Sequence, residues 1–476
     1  MVRGIHENRI ITPVGTVKNN AGSTDNLQES KRADRLRERD SDLSGQFKLA
    51  HQALMLVSRG ASEREAVQSA AASDPRLTRF KREAIALVLG TVNEQDILDI
   101  HVQDALPDEK MGISARALFR LATYSILRPG AKTEVRRLEH SLRSIAPTEL
   151  LPRLEFLLGT LPAFDPTQLL SGMPDSERIA LETHHPVWWV SYCFHMLGRG
   201  EAIALLSSQP RPRYLRVNSL KNRGRTNLPR ELGVLAETLT KLNSTPGVYI
   251  IRSSLSAFSE FFSSGLFQMQ DLASYLAIRA ANPVPGEKVL DLCAAPGAKT
   301  AAIAQMMKNH GKIVSVDYSP RRMKGWKREA RRLGVKIADP VIGDATLLGL
   351  HESFDLVVID PPCTGTGVFD RNPRMKWHLS PQSVDRYSIL QRRFLESVVP
   401  LVGEEGRILY CTCSLTVEEN EQVISAFLRS HPEFETRPIL EQDGSPGLMG
   451  LADCRRFYPH RDRTAGYFIA RMQRAN

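Results

Sequence analysis

The chain has 476 residues, 42% hydrophobic and 24% charged, with a formal net charge of +10. That composition excludes a fibrous or low-complexity protein, and at this length it supports two to four packed domains. No apolar run approaches the ~18 residues of a membrane helix. The N-terminus lacks the apolar segment of a signal peptide, so a cytoplasmic chain without a membrane partner is expected. The basic balance suits a polyanion such as nucleic acid through phosphate contacts, and equally a merely basic enzyme. Six cysteines are present, at 193, 293, 363, 411, 413 and 454. They form no CxxC pair and no Cys/His zinc spacing, so free thiols and no metal are expected.

Residues 1–45 are polar, mix both charge signs and read as a disordered tail. From 46 to 165 the pattern is helical, with Phe80, Ala84 and Leu87 on one face and Leu118, Leu121 and Ala122 on another. Ser73-Asp74-Pro75 and Pro129-Gly130 punctuate this all-α domain. Residues 166–275 predict a small α+β module. His185-Pro186-Val187-Trp188-Trp189 opens a helix, and Tyr214–Asn218 and Val248–Ile251 read as strands. The paired tryptophans could stack on bases, but core packing is the stronger reading. From 276 to 476 strands and helices alternate as in a doubly wound α/β domain. Its strands are Val289–Cys293, Ile313–Asp317, Asp355–Asp360 and Arg407–Cys411, with a helix over Ala298–Asn309 and a basic helix from Ser319. Whether that basic helix faces RNA or only solvent stays open.

The first of these strands runs into Cys293-Ala294-Ala295-Pro296-Gly297-Ala298-Lys299-Thr300. Small residues let the backbone approach a ligand, and the helix N-terminus behind them offers free N–H groups to an anion. The carboxylate of S-adenosylmethionine suits that position, with Lys299 in support. The loop is not GxGxxG, so a dinucleotide fingerprint is absent. Asp317 closes the next strand and is placed to accept both ribose hydroxyls; Asp344 follows the third strand and is placed to reach the adenine amino group.

Leu356-Val357-Val358-Ile359 ends in Asp360-Pro361-Pro362-Cys363-Thr364-Gly365-Thr366-Gly367. Amino-group methyltransferases commonly carry an aromatic residue after such a Pro-Pro pair; here a thiol stands in its place. Arg407–Cys411 leads to Thr412-Cys413-Ser414, and strand alternation puts Cys411 in the packed sheet and Cys413 at the crevice. If the two strands are neighbours, Cys363 and Cys413 face one reacting base. Carbon 5 of cytosine is a poor nucleophile, and thiolate addition at carbon 6 activates it. Asp360 is suited to hold the ring nitrogen and amino group. The competing reading is two inert core cysteines.

The motifs LDLCAAPGAKT at 290–300, DPPCTGTG at 360–367 and CTCS at 411–414 resemble the RsmB/NOP2/Sun family of RNA 5-methylcytosine methyltransferases. FQMQD at 267–271, YLRVNSL at 214–220 and YPH at 458–460 add to the resemblance, which covers about 180–476. It implies a class I S-adenosylmethionine-dependent domain, Cys413 as nucleophile and Cys363 as the cysteine that assists product release. It also implies a cofactor and cytosine site from Cys293 through Lys299 with Asp317, Asp344 and Asp360. The helical segment is similar to a NusB-type RNA-binding domain, an arrangement like that of the RsmB branch, which implies small-subunit ribosomal RNA as substrate; a monomer is expected. Transfer RNA, or a ribosome-assembly role with dispensable catalysis, are the alternatives; no insertion for DNA target recognition is visible. Two positions depart from the family pattern: Ala298 replaces a second glycine, and Ala465 replaces an acid before Gly466-Tyr467-Phe468.

Overall fold

The computed structural model describes residues 41–107, 110–128, 135–161, 170–208, 210–347, 349–439 and 443–475. The tail over 1–40 and the Pro129-Gly130 punctuation lie outside them. The chain divides into two compact units, one of Met1–Thr91 with Leu98–Phe164 and one of Val92–Ile97 with Asp165–Asn476.

Among its described residues the first unit is entirely helical. Helix 41–58 already covers the last five positions assigned to the tail. Helices Glu63–Ser73, Ile113–Leu127, Val135–Ile145 and Leu151–Thr160 follow. Their apolar stripes bury Phe47, Phe80, Ala84, Leu87, Leu118, Leu121, Ala122, Leu142 and Leu157. Asp74 ends one helix and accepts from Arg76 N to cap the 3-10 turn after it, so the Ser73-Asp74-Pro75 signal works as expected.

The second unit begins with helices Asp175–Thr183, Val187–Leu197 and Arg199–Leu206. Trp189 is buried and stacks on Tyr192 at 5.4 Å, which settles it as core; Trp188 is half-buried. Four short strands follow: β1 (Arg213–Val217), β2 (Leu239–Lys241), β3 (Val248–Ile251) and β4 (Phe267–Met269). They form an antiparallel sheet in the order β2-β3-β1-β4 over Leu215, Tyr249, Phe258 and Phe267.

A larger sheet carries β5 (Lys288–Leu292), β6 (Lys312–Asp317), β7 (Ala338–Ile342), β8 (Phe354–Ile359) and β9 (Val402–Thr412). These continue into β10 (Phe434–Thr436), β11 (Ser445–Pro446), β12 (Arg455–Phe457) and β13 (Tyr467–Arg474). Its order is β11-β12-β13-β9-β8-β5-β6-β7, with β10 beside β13. The five strands β7, β6, β5, β8 and β9 run parallel, and β13 returns antiparallel on β9. Val289, Leu356 and Val358 face one core and Leu290, Val357 and Ile359 the other, the near-continuous apolar burial of a sheet covered on both faces. The chain winds outward from β5 in both directions, so the strand order switches between β5 and β8. That switch is where an open α/β sheet binds its ligands.

The border drawn at 275/276 falls inside the helix Leu272–Ala281. Leu272, Ala273, Leu276 and Ala277 share the core of β5, β8 and β9, so this helix belongs to the catalytic domain. Its start is written in the sequence as Asp271, whose side chain accepts from Ala273 N at 3.1 Å.

Candidate active site

The carboxyl ends of β5, β6, β8 and β9 bring Cys293, Asp317, Asp360 and Cys413 to one edge of the sheet. Strands β8 and β9 are parallel neighbours with Ile359 opposite Tyr410. Continuing that register sets Asp360 beside Cys411 and carries Cys363 and Cys413 into the same crevice, where their sulfurs are 3.4 Å apart. The sulfur of Cys413 and burial both push the Cys363 thiol well above its ordinary value. Two thiolates at that distance cannot coexist, so one of the pair keeps its proton while the other attacks.

Cys411 is buried in the sheet, receives the Tyr467 hydroxyl at 3.4 Å and is pushed up to about 12, mainly by burial. It is the structural member of the CxC pair. Asp360 receives Lys299 Nζ at 2.6 Å. Burial works against the lysine charge, but Asp360 and its acidic neighbours outweigh it and hold Lys299 above its ordinary value.

On the cofactor side, Asp317 is buried and accepts Ala295 N at 3.2 Å and Ser319 N at 3.0 Å. Arg322 reaches it at 3.2 Å. Gly297 adopts φ 109° and no side chain caps the helix Ala298–Met306, so the N–H groups of its first turn point into the crevice edge. Ala298 is the first helical residue and does not share the positive φ of Gly297, so its methyl group imposes no backbone strain. Asp291, one strand position from Leu292, is fully buried and pushed up to about 7 by desolvation. Thr300 holds its Oδ2 at 2.5 Å, and Oδ1 has no partner among the described residues. Asp344 is exposed at the edge beyond β7, its carboxylate occupied by Thr346 N at 2.9 Å.

Two groups not anticipated from the sequence, Glu419 and Arg211, complete the site. Glu419 is buried behind the thiols and accepts Thr364 N at 2.9 Å, Ser414 Oγ at 2.6 Å, Thr416 Oγ1 at 2.9 Å and Gln391 Nε2 at 2.9 Å. The Thr364 hydroxyl also donates to it. One carboxylate thus ties the loop after Cys363 to the loop after Cys413. Arg211 pairs with Asp370 at 2.7 Å and Asp271 at 3.0 Å, and its cation lies within electrostatic reach of Cys413. Asp271 in turn accepts Thr464 Oγ1 at 2.6 Å and Ala465 N at 3.2 Å, so the residue that departs from the family pattern is held through its backbone. The hydroxyl-rich stretch before Glu418-Glu419 was a usable signal for the first group. The Arg211 cluster joins segments 60 and 159 residues apart, which no local pattern reveals.

A doubly wound sheet with an open cofactor loop, an acid closing β6 and a thiol pair beside an Asp-Pro-Pro turn defines an S-adenosylmethionine-dependent methyltransferase. Residues 278–473 match the family described as 16S rRNA methyltransferase RsmB/F. A probable ribosomal RNA small subunit methyltransferase B from Bacillus subtilis (strain 168) is 34% identical over 312 residues, 62% of this chain and 68% of the relative. A tRNA (cytosine(72)-C(5))-methyltransferase from Pyrococcus horikoshii is 33% identical over 230 residues, 48% of this chain and 58% of the relative. One solved crystal structure superposes on 90% of this chain and 99% of its own, with TM-score 0.78 and 29% identity. The chain belongs to the RsmB/F family of RNA cytosine-5 methyltransferases. It is an enzyme whose cofactor is S-adenosylmethionine. No helix among the described residues is long and apolar enough to cross a membrane.

Proposed function

We propose that this enzyme methylates carbon 5 of a cytosine in small-subunit ribosomal RNA, with Cys413 as nucleophile and Cys363 as its partner thiol. The observation that carries the reading is the 3.4 Å approach of the two sulfurs at the ends of adjacent strands, beside Asp360. In this reading Cys363 keeps its proton and Cys413 attacks carbon 6 of the base. The new carbon–sulfur bond turns the carbon 5–carbon 6 edge into an enamine. Asp360, oriented by Lys299, hydrogen-bonds the cytosine ring nitrogen and amino group as charge builds there. Bound S-adenosylmethionine supplies the methyl that carbon 5 takes. Loss of the carbon 5 proton to solvent in the crevice then expels Cys413 as the thiolate that attacked, and the Cys363 thiol, 3.4 Å away, is placed to stabilise the departing sulfur by a hydrogen bond.

The residues present fit the cofactor. An uncapped helix N-terminus with Lys299 suits its carboxylate, and Cys293, Ala294, Ala295, Pro296, Gly297 and Ala298 keep the approach free of bulk. Asp317 at the end of β6 suits the ribose diol. Asp344 is a weaker candidate for adenine, being exposed and engaged by Thr346. The helical unit over 46–165 is read as a NusB-like RNA-binding domain and the segment 166–275 as an RNA-binding module. The small-subunit substrate of the Bacillus relative favours ribosomal over transfer RNA. Transfer of labelled methyl to total RNA followed by bisulfite mapping tests the substrate. A new 5-methylcytosine in small-subunit ribosomal RNA is expected, and label confined to transfer RNA would reverse the assignment.

A further inference from the structure

Among the described residues four arginines are buried: Arg211, Arg216, Arg407 and Arg456. Three have carboxylate partners. Arg211 meets Asp271 and Asp370, Arg407 meets Glu287 at 2.8 Å, and Arg456 meets Glu421 at 2.6 Å. Arg216 meets none. Its guanidinium donates to the side-chain oxygens of Gln270 at 2.9 Å, Gln268 and Gln305, and lies 5.1 Å from the Tyr275 ring. Gln305 spends its amide nitrogen on Asn218 at 2.7 Å, which fixes its oxygen toward the arginine.

Three neutral oxygens satisfy hydrogen bonds but leave the positive charge of a buried residue without a counter-charge, an expensive arrangement for a structural role alone. Burial pulls the guanidinium down to about 10, so it stays charged at neutral pH. Arg216 opens onto a cavity of about 510 Å³, lined also by Ser219, Thr226 and Lys308, by apolar Leu220, Pro246 and Met306, and by no acidic residue. Exposed Lys221, Arg223 and Arg225 follow in the adjoining turn, and residues 216–226 contain no Asp or Glu. Hydroxyls and two cations around an acid-free cavity are the chemistry of an oxyanion site.

We propose that this cavity is a phosphate subsite for the RNA strand: a phosphodiester of the substrate enters it and supplies the counter-charge that Arg216 lacks. The inference rests on the RNA-substrate reading above. Free inorganic phosphate shares the chemistry, and the test separates the two.

Binding of small-subunit ribosomal RNA by the full chain is measured across a salt series for wild type, Lys308→Ala and Arg216→Gln. Lys308 is exposed, so its removal leaves the Arg216 network intact. Each variant should weaken binding and lower the slope of log affinity against log salt by about one phosphate contact, roughly 0.7–0.9. S-adenosylmethionine binding should be unchanged. Inorganic phosphate at constant ionic strength should compete with RNA on wild type and not on Arg216→Gln. Wild-type slopes in Lys308→Ala and in folded Arg216→Gln would overturn the proposal, even if inorganic phosphate raises the melting temperature of wild type. Should Arg216→Gln fail to fold, Lys308→Ala alone decides. If wild type neither binds nor methylates RNA, the substrate reading fails instead, a result distinct from an unchanged slope.

Discussion

The helical region 41–161 and the sheet domain 272–475 handle charge in opposite ways. In the helices, ion pairs such as Lys48–Asp74, Arg79–Asp42 and Arg120–Asp99 each keep a partner well in solvent, and the interior is almost wholly apolar. In the sheet domain Arg456–Glu421 is 1% and 0% exposed, and Asp291, Asp317 and Glu419 are buried within or behind the crevice. Exposed pairs contribute little to stability, whereas a buried charge is costly unless it is partnered. The burial of charge therefore marks where geometry is held for chemistry, and its scarcity in the helices marks a region held together mainly by apolar packing.

The sharpest way to break that contrast is to remove a charge from each region. Glu419→Ala strands the hydroxyls and amides of Thr364, Ser414, Thr416 and Gln391. It should cost more than about 3 kcal/mol in denaturant unfolding and reduce methyl transfer at least about 100-fold. Glu419→Gln, which keeps the shape, should recover part of both. Asp99→Ala, which removes the half-exposed partner of Arg120, should cost about 1 kcal/mol or less and leave methyl transfer unchanged. Equal costs for Glu419→Ala and Asp99→Ala would erase the distinction.

A smaller effect concerns pH. Burial lowers His101 to about 4, and burial outweighs the Ser114 carbonyl to lower His51 as well. Both rings are neutral in the fold, so their contribution is intact above the unfolded value near 6.5 and is lost as pH falls from there toward 4. Hydrogen exchange of the full chain should show protection in the helices falling by at most about tenfold per histidine per pH unit over that window, beyond the change in intrinsic exchange. Protection that holds steady to pH 4.5 would show that these rings do not stay neutral.

Legibility from sequence follows the same divide. Asp317, Asp360 and Cys413 are readable because each stands at the end of a strongly apolar strand, with Cys363 in the loop just beyond Asp360, and such ends meet at the switch point. Asp344 follows β7 at the edge of the sheet, exposed and engaged by Thr346. Ala298 is cleared only by seeing that it does not share the positive φ of Gly297. Arg211 and Arg216 are not legible, and Glu419 only through the hydroxyl-rich stretch before it: each acts through partners brought together by tertiary packing, and a lone charged residue carries no sign of being buried. The domain border falls four residues late because Asp271 reads as part of a motif and not as a helix cap.

The most direct measurement follows the fate of the RNA in the two thiol variants side by side, using labelled S-adenosylmethionine and a denaturing gel. Cys413→Ala is expected to give neither product nor shifted band, a loss of at least about 1,000-fold. Cys363→Ala is expected to accumulate a covalent protein–RNA band that carries label, because Cys413 attacks but is not released. Full methyl transfer by Cys413→Ala, or a covalent band that depends on Cys363 in place of Cys413, would contradict the assignment of the nucleophile.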